Sequence, residues 1–338
     1  MTEPILQVDN LVKHFPLRGG SLGRESGLVH AVDGVTFTVA EGSTLALVGE
    51  SGSGKTTTAR MLLLLEEPTS GTIRFRGELV SRSSGSIREY KRSVQAVFQD
   101  PYSSLNPRMR VRDIVGEPLE IHERLGRRRL AVRVGELLEV VGLNPATAGY
   151  YPHQFSGGQR QRIAIARALS LSPKLIVLDE PVSALDVSIR AQILNLLVDL
   201  QKTLGLSYVL ISHDLAIVEH MSHSVAVMYA GQIVEQTDKP RLYADPSHPY
   251  TQALLAAVPS PDPDIRLRDV VSGEVADPAD PPPGCRFHPR CPLRIELGSP
   301  AICVESDPAL RTVDAAHRCA CHFSGPQAAT VVSGGAEA

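Results

Sequence analysis

Residues Gly49 to Thr56 fit the spacing G-x-x-x-x-G-K-[ST] at every fixed position. The chemistry that spacing supports is phosphate binding. Gly49, Gly52 and Gly54 let backbone N–H groups turn inward around an anion. Lys55 offers a compact positive charge to β- and γ-phosphates. The Thr56 hydroxyl can ligate Mg²⁺, which keeps most of its waters and takes phosphate oxygens. The flanks supply the context such a loop needs. Leu45 to Val48 read as a short buried strand. After Lys55 the pattern turns helical, with Met61, Leu62 and Leu65 on one face. The new helix adds its positive N-terminal end to the cradle.

Three further groups carry chemistry. Asp179 and Glu180 follow the apolar run Leu175 to Leu178. An Asp at a strand end can hold Mg²⁺ through water, and the adjacent Glu can orient or deprotonate an attacking water. Two adjacent acids in a loop mean little alone, but beside a phosphate loop they mean a good deal. Phe155-Ser-Gly-Gly-Gln159 opens a helix. Gly157 and Gly158 expose N–H groups there and Ser156 can cap them, which makes either a second anion-binding helix start or an ordinary N-cap. The third group is the cysteines, all between 285 and 321. Cys285, Cys291, Cys303 and Cys321 are separated by 5, 11 and 17 residues, with Cys319 extra. The C-x-x-C pairs of zinc ribbons are missing. Disulfides do not persist in a reducing cytoplasm. Gathered thiolates suit a soft metal.

The elements that must position these residues can be read in order. Residues 5–15 alternate well enough for an edge strand, and 16–30, with Pro16, four glycines and mixed charge, read as a loop. Val35 to Val39 form a strand that Glu41-Gly42 turns into the strand before the phosphate loop. Short strands follow near 72–75 and 94–98, then a polar loop at 100–110. Residues 111–142 are mostly helical, with Arg127-Arg128-Arg129 on a solvated face. A helix at 157–170 buries Ile163, Ala164, Ile165 and Ala168. The strand 175–178, a helix near 188–204 and the strand 208–211 complete the pattern. Strands alternating with helices imply a mostly parallel sheet, whose ligand lies beyond the carboxyl ends of the strands. Lys55, Asp179, Glu180 and His213 each follow an apolar strand and are expected at one sheet edge.

Composition bounds the rest. A chain of 338 residues holds about two domains. A formal charge of −3 gives no general attraction to nucleic acid or anionic lipid. With no Trp and 4% aromatic residues, no base-stacking surface is indicated. The first residues lack the basic and apolar regions of a signal peptide. Aliphatic runs reach only Met61 to Leu65, far short of the ~20 residues that span a bilayer. The chain reads as soluble and cytoplasmic.

In this order the motifs resemble the ATP-binding subunit of an ABC transporter. Gly49 to Thr56 match its Walker A loop and Gln99 its Q-loop, within Val97-Phe-Gln-Asp-Pro101. Ser156 to Gln159 match the signature, and Asp179 with Glu180 the Walker B end. Ser183-Ala-Leu-Asp186 match the D-loop and His213 the switch histidine. Phe155 stands where leucine is usual, apolar for apolar. The resemblance implies an α/β P-loop ATPase fold, with a mostly parallel sheet, an antiparallel edge part and a helical subdomain. It implies ATP and Mg²⁺, held by Gly49, Ser51, Gly52, Ser53, Gly54, Lys55, Thr56 and Thr57, with Thr56, Gln99 and Asp179 toward the metal. Glu180 would be the catalytic base, aided by Gln99 and His213. Phe15 stands where the family stacks an aromatic on adenine, though a core role on its strand, with His14 offering the ring, stays open. Two such domains would sandwich two ATP molecules, each phosphate loop facing the other's Ser156, Gly157, Gly158 and Gln159.

Outside these motifs, Gln99 to Arg108, Ser247-His-Pro-Tyr-Thr-Gln-Ala-Leu254 and the segment 16–30 resemble the oligopeptide, dipeptide and nickel importers. His248-Pro-Tyr250 could equally be a turn before a helix. That resemblance implies a second, paralogous ATPase subunit, two transmembrane permease subunits, an extracytoplasmic substrate-binding protein and no nucleic acid. It places the chain peripherally, on the cytoplasmic face of the cell membrane. Gly284 to Pro292 and His317 to His322 resemble the C-terminal extension of peptide-importer ATPases, which can hold a [4Fe–4S] cluster through four cysteines. Cys285, Cys291, Cys303 and Cys321 are the implied ligands. Zinc, or no metal, are the alternatives, and His288, His317 and His322 would support the site without ligating. The expected domains are 1–258 for the ATPase, with its helical part at about 100–172, and 259–323 for the extension. A proline-stiffened linker (Pro259, Pro261, Pro263, Pro278, Pro281 to Pro283) opens the extension, and 324–338 is an expected disordered tail. The competing classes are a non-transport ABC ATPase of DNA repair or translation, and a redox-sensing module.

Overall fold

A computed structural model describes residues 3–18, 25–81, 87–100, 104–257, 273–314 and 317–325. The linker prolines Pro259, Pro261 and Pro263, and residues 326–338 of the expected tail, lie outside the described residues; Ser324, the expected first residue of that tail, is instead buried and donates its Oγ to Ser247 O at 3.0 Å. In chain order the elements are β1 (Pro4–Arg18), β2 (Glu25–Ala40), β3 (Thr44–Val48), α1 (Lys55–Leu62), β4 (Ser70–Phe75), β5 (Glu78–Leu79), α2 (Ile87–Ser93), β6 (Val94–Val97), α3 (Val111–Glu123), α4 (Arg127–Val140), α5 (Gly157–Leu169), β7 (Leu175–Asp179), α6 (Val187–Leu204), β8 (Ser207–Ser212), α7 (Leu215–Met221), β9 (Ser224–Tyr229), β10 (Gln232–Asp238), α8 (Lys239–Ala244), α9 (Pro249–Ala256), α10 (Pro292–Glu296), α11 (Ile302–Glu305), β11 (Arg311–Asp314) and β12 (His317–Cys319). Among the described residues no helix is long and apolar enough to cross a membrane.

The chain divides into two compact units. The first comprises residues 1–6, 39–44 and 74–211. Its strands β6, β7 and β8 run parallel, with Val94 opposite Leu175 and Leu175 opposite Ser207. Leu175 to Leu178 are fully buried, as a continuous apolar run inside a parallel sheet must be. The helices α3, α4 and α5 of this unit pack on one another, and Val115, Leu119, Leu138 and Ile165 on them are buried. Arg127, Arg128 and Arg129 open α4 and are exposed, so the basic run is a solvated face.

The second unit comprises 7–38, 45–73 and 212–338. β3 runs parallel to β9, and β10 folds back antiparallel on β9. β12 then adds to β10, placing Cys319 opposite Glu235, and β11 closes that edge. The strands near the C-terminus thus extend the sheet that carries the phosphate loop. In the same unit β1 lies between β2 and β4.

Three further sequence expectations are corrected. β1 is not an edge strand, because β4 covers its second side. Residues 16–30 are not a loop throughout: β1 continues to Arg18 and β2 begins at Glu25. There the ladder outruns the buried core, with Leu17 and Leu28 exposed, so hydrophobic alternation could not report it. Leu65 is not on the buried face of α1. The helix ends at Leu62, Leu64 takes a φ of +56°, and Leu65 is 60% exposed.

Candidate functional site

Lys55 opens α1 buried, its ammonium turned back into the loop that precedes it. Its Nζ donates to the carbonyls of Gly49 and Glu50, each at 2.7 Å, and to Ser53 Oγ at 3.1 Å. A cation is therefore held at the centre of a ring of loop oxygens, at a helix N-terminus without acidic residues in its first turn. The loop can adopt this shape only with glycine at two points. Gly49 (φ +153°) and Gly54 (φ +103°) face the carbonyls of Met228 and Ala31 so closely that a Cβ would overlap them. Thr56 and Ser51 are exposed, Thr57 and Gly54 half-buried, Ser53 buried, and Gly52 exposed at φ +79°. Phe15 is half-buried, with the Lys13 ammonium 4.8 Å from its ring centre. His213, also in this unit, is exposed directly after β8.

The first unit brings Gln99 and Glu180 together: Gln99 Nε2 donates to Glu180 Oε2 at 2.8 Å. Asp179 ends β7, half-buried. Glu180 takes a φ of +49°, and its backbone is bonded at both its N–H and its carbonyl. Its N–H donates to Ile211 O at 3.0 Å, and its carbonyl accepts from Ser183 N at 3.3 Å and Ser183 Oγ at 3.1 Å. Ser183 thus fixes the glutamate that the Walker B end presents. Ser156 and Gln159 form a full capping box on α5, with Gln159 Oε1 accepting from Ser156 N at 3.0 Å. Gly158 is buried, and a Cβ there would overlap Ile189 of α6.

Four thiols line one small pocket in the second unit: Cys285, Cys291, Cys303 and Cys321. Cys319 lies outside it, within reach of Ser324. No described cysteine is in a disulfide. Burial, with the neighbouring thiols adding to it, pushes Cys285 up to about 12 and Cys291 up to about 11, and raises Cys303. Those three thiols therefore keep their protons at neutral pH, and a soft cation that displaced them would find four cysteine ligands around one pocket. Gly284 (φ +66°) permits this convergence: a Cβ would sit 2.6 Å from Cys303 O, so only glycine allows the two cysteine-bearing segments to meet. His288 and His322 are turned to the carbonyls of Cys285 and Ser306, at 3.0 and 2.9 Å.

Sequence reasoning names His317 as a supporting residue but not the contacts that tie this centre to the phosphate loop. Glu235 is fully buried and accepts from Ser247 N at 2.7 Å, His248 N at 3.0 Å and His317 Nε2 at 2.6 Å. Burial pushes His248 down to about 3, so it stays neutral, and its Nδ1 accepts from Tyr250 N at the start of α9. Tyr250 reaches the loop itself, its hydroxyl accepting from Glu50 N at 2.8 Å. Arg290 forks onto the Glu50 carboxylate, and Arg286 pairs with Asp33. Asp33 also meets His14 at 3.2 Å and His30 at 3.4 Å. Burial opposes the Asp33 charge, yet Arg286 and then His14 outweigh it and hold its carboxyl below the ordinary range. The one available signal was the segment Ser247 to Leu254, whose role in sequence was undecided.

A strand, a glycine cradle closed on a lysine and a helix N-terminus define a P-loop nucleotide-binding protein. The ABC transporter family model matches residues 32–183, and the model "Oligopeptide/dipeptide transporter, C-terminal region" matches 234–296. A probable peptide ABC transporter ATP-binding protein, y4tS of Sinorhizobium fredii, is 49% identical over 98% of this chain and 94% of its own. The oligopeptide transport ATP-binding protein AppF of Bacillus subtilis is 49% identical over 95% and 98%. The dipeptide transport ATP-binding protein DppF of Escherichia coli is 49% identical over 87% and 88%. Among solved structures, cbiO1 of Clostridium perfringens is 30% identical with a TM-score of 0.62, over 72% of this chain and 92% of that one. The ATP-binding cassette MJ0796, dimeric and bound to ADP and Pi, is 26% identical with a TM-score of 0.61, over 69% and 98%. The chain belongs to the ATP-binding subunits of the oligopeptide/dipeptide ABC importers. It is an ATP-hydrolysing transporter subunit, and membership implies a second ATPase domain and membrane-spanning permease partners.

Proposed function

We propose that this chain binds MgATP on Gly49 to Thr57 and that Glu180 is the base that starts its hydrolysis. The observation that carries the reading is the Lys55 ammonium, buried in a ring of loop oxygens where an incoming phosphate would replace them. Lys55 would then swing from Gly49 O and Glu50 O to the β- and γ-phosphates. The glycine cradle and the start of α1 would supply N–H donors. Thr56, Gln99 and Asp179 are the residues suited to hold Mg²⁺, which would balance the charge of the phosphates. Gln99 already bonds the Glu180 carboxylate, so it is suited to pass a change at the nucleotide to the loop that follows it. Glu180 accepts the proton of the attacking water, and His213 offers a hydrogen bond to the γ-phosphate. Phe15, half-buried on β1, is the aromatic suited to stack on the base. The exposed capping box of Ser156 to Gln159 would close on the nucleotide of a paralogous partner, so that ATP binding closes the pair and hydrolysis reopens it.

Cys285, Cys291, Cys303 and Cys321 fit a [4Fe–4S] cluster. A mononuclear tetrahedral zinc with Zn–S near 2.3 Å needs thiols about 3.8 Å apart. A single zinc on the same four sulfurs is the alternative reading. When bound, the cluster supplies a rigid anchor for two chain segments or a one-electron centre. The chain would work on the cytoplasmic face of the cell membrane, with two permease subunits and an extracytoplasmic substrate-binding protein. The test of the base is Glu180→Gln, which should bind MgATP normally and hydrolyse it at least ~100-fold more slowly. Normal turnover in that variant would remove Glu180 from the role.

A further inference from the structure

Glu50 is the sole acidic residue in the loop Gly49 to Thr56. A bare carboxylate there would repel a triphosphate, since like charges at such range oppose each other even at high effective dielectric. It is not bare. Arg290 Nη1 donates to Glu50 Oε2 at 2.9 Å and Nη2 to Oε1 at 3.2 Å, the two-pronged pairing that fixes orientation as well as charge. The Arg290 side chain is 7% exposed and lies over the ring of Tyr229, 5.9 Å from its centre. Its backbone belongs to the short turn between two of the cavity-lining thiols. His288 N donates to Cys285 O at 2.8 Å, Arg290 N to Phe287 O at 3.0 Å, and Cys291 N to His288 O at 3.4 Å. Phe287 is fully buried against Tyr229 and Tyr250, with ring centres 5.2 and 5.4 Å away. Tyr250 in turn holds the Glu50 amide. The cysteine-bearing segment and the residues beneath it therefore grip the loop at Glu50 twice, by side chain and by backbone.

We propose that Arg290 is a positioning residue for the phosphate loop: carried on the turn between Cys285 and Cys291, it neutralises and fixes Glu50, so that the integrity of the cysteine centre sets the affinity for MgATP. This rests on the assignment of Gly49 to Thr57 as the nucleotide cradle. The guanidinium touches neither phosphate nor water. It acts through Glu50, by removing an opposing charge and by fixing the side chain of a residue whose carbonyl Lys55 bonds.

The experiment is calorimetric titration of the full chain, purified without oxygen, with MgATP. Arg290→Ala should weaken binding about tenfold, and the loss should shrink in 0.5 M salt, because exposed repulsion is screened. Arg290→Lys should recover part of the loss. Glu50→Gln added to Arg290→Ala should restore binding to within about threefold, because the repelling charge is gone. A pair that merely stabilised the fold would lower the melting temperature and show neither the salt dependence nor the rescue. Cys291→Ser should weaken MgATP binding in the same direction, and the Cys291→Ser/Arg290→Ala double variant should be no weaker than the worse single one, as residues acting through one contact are not additive. Lys55→Ala sets the reference. If it abolishes binding while Arg290→Ala leaves it unchanged, the role of Arg290 is overturned. If neither changes binding, the cradle assignment itself fails. Loss in Arg290→Ala without rescue by Glu50→Gln overturns the charge argument. Unchanged binding in Cys291→Ser overturns the link to the cysteine centre, and should that variant not fold, the rescue and the salt dependence still decide the role of Arg290.

Discussion

Glu180 sits at φ +49°, a left-handed backbone position that a side-chain-bearing residue adopts at an expense of ~1–3 kcal/mol. Ser183 and Ile211 hold it there, and Gln99 holds its carboxylate. Strain of this kind at the end of a buried strand aims one side chain and resists relaxation. Glu180→Gly should therefore stabilise the chain by ~1 kcal/mol while removing turnover, since glycine accepts the conformation freely. A differential melt against hydrolysis rate checks the pair, and a destabilised variant would show that the position is not strained. Ser183→Ala should lower turnover with little change in MgATP affinity, because it loosens the base and not the cradle. A second residue-scale effect is electrostatic. Burial, with the charge of Lys239 second, holds His223 below its usual imidazole value. The unfolded chain then binds a proton that the folded chain refuses, so this contribution is present above pH ~6.5 and is lost as pH falls beneath it. His223→Asn should fall less in melting temperature between pH 7 and pH 5 than the unaltered chain; parallel curves would exclude His223 as a source of acid sensitivity.

At the scale of elements, the signature helix α5 meets α6 through an absence. Gly158 leaves room for the Cγ2 of Ile189, and a methyl group would overlap it. Gly158→Ala should cost ~1–3 kcal/mol as an overpacked contact, and Ile189→Ala in the same chain should return most of it by emptying the space. Melting of the single and double variants decides this, with equal losses in both refuting the contact as the cause. What the sequence disclosed follows the same logic of range. The strand β3, the glycine loop and α1 are contiguous, so each is specified by its own residues. The fully buried β7 and the cap that Ser156 places on α5 were legible for that reason too, whereas the return bond from Gln159 was not read. The long ladder of β1 and β2 was not, because Leu17 and Leu28 lie outside the core and carry no alternation to read. The contacts that bind the loop to the cysteine segment were hidden by distance along the chain. Glu50 and Arg290 are 240 residues apart, and Glu235 and His317 are 82 apart. Charged residues far apart in sequence give no periodic signal, and only the fold pairs them.

At the scale of the whole molecule, the cysteine segment is part of the sheet that bears the phosphate loop. β12 pairs with β10, and Pro278 O accepts from His30 N at 2.7 Å. A metal that anchors two turns there would stabilise the unit as any tightly bound ligand does, in proportion to its binding free energy. Cys285→Ser, Cys291→Ser, Cys303→Ser and Cys321→Ser should each lose iron and acid-labile sulfide, whereas Cys319→Ser, outside the cavity, should keep both. Full iron in all four would refute the assignment, and a zinc content of one per chain would select the mononuclear alternative. The wider assembly is tested on the same preparation. Recovery of the tagged chain from native membranes, solubilised without oxygen and weighed as an intact complex, should return a second ATPase and two polytopic proteins, with added mass for four iron and four sulfide. Recovery of a single copy without permease partners would break the link between this ATPase and transport, and would leave the phosphate loop, Gln99 and Glu180 as a hydrolase in search of a different load.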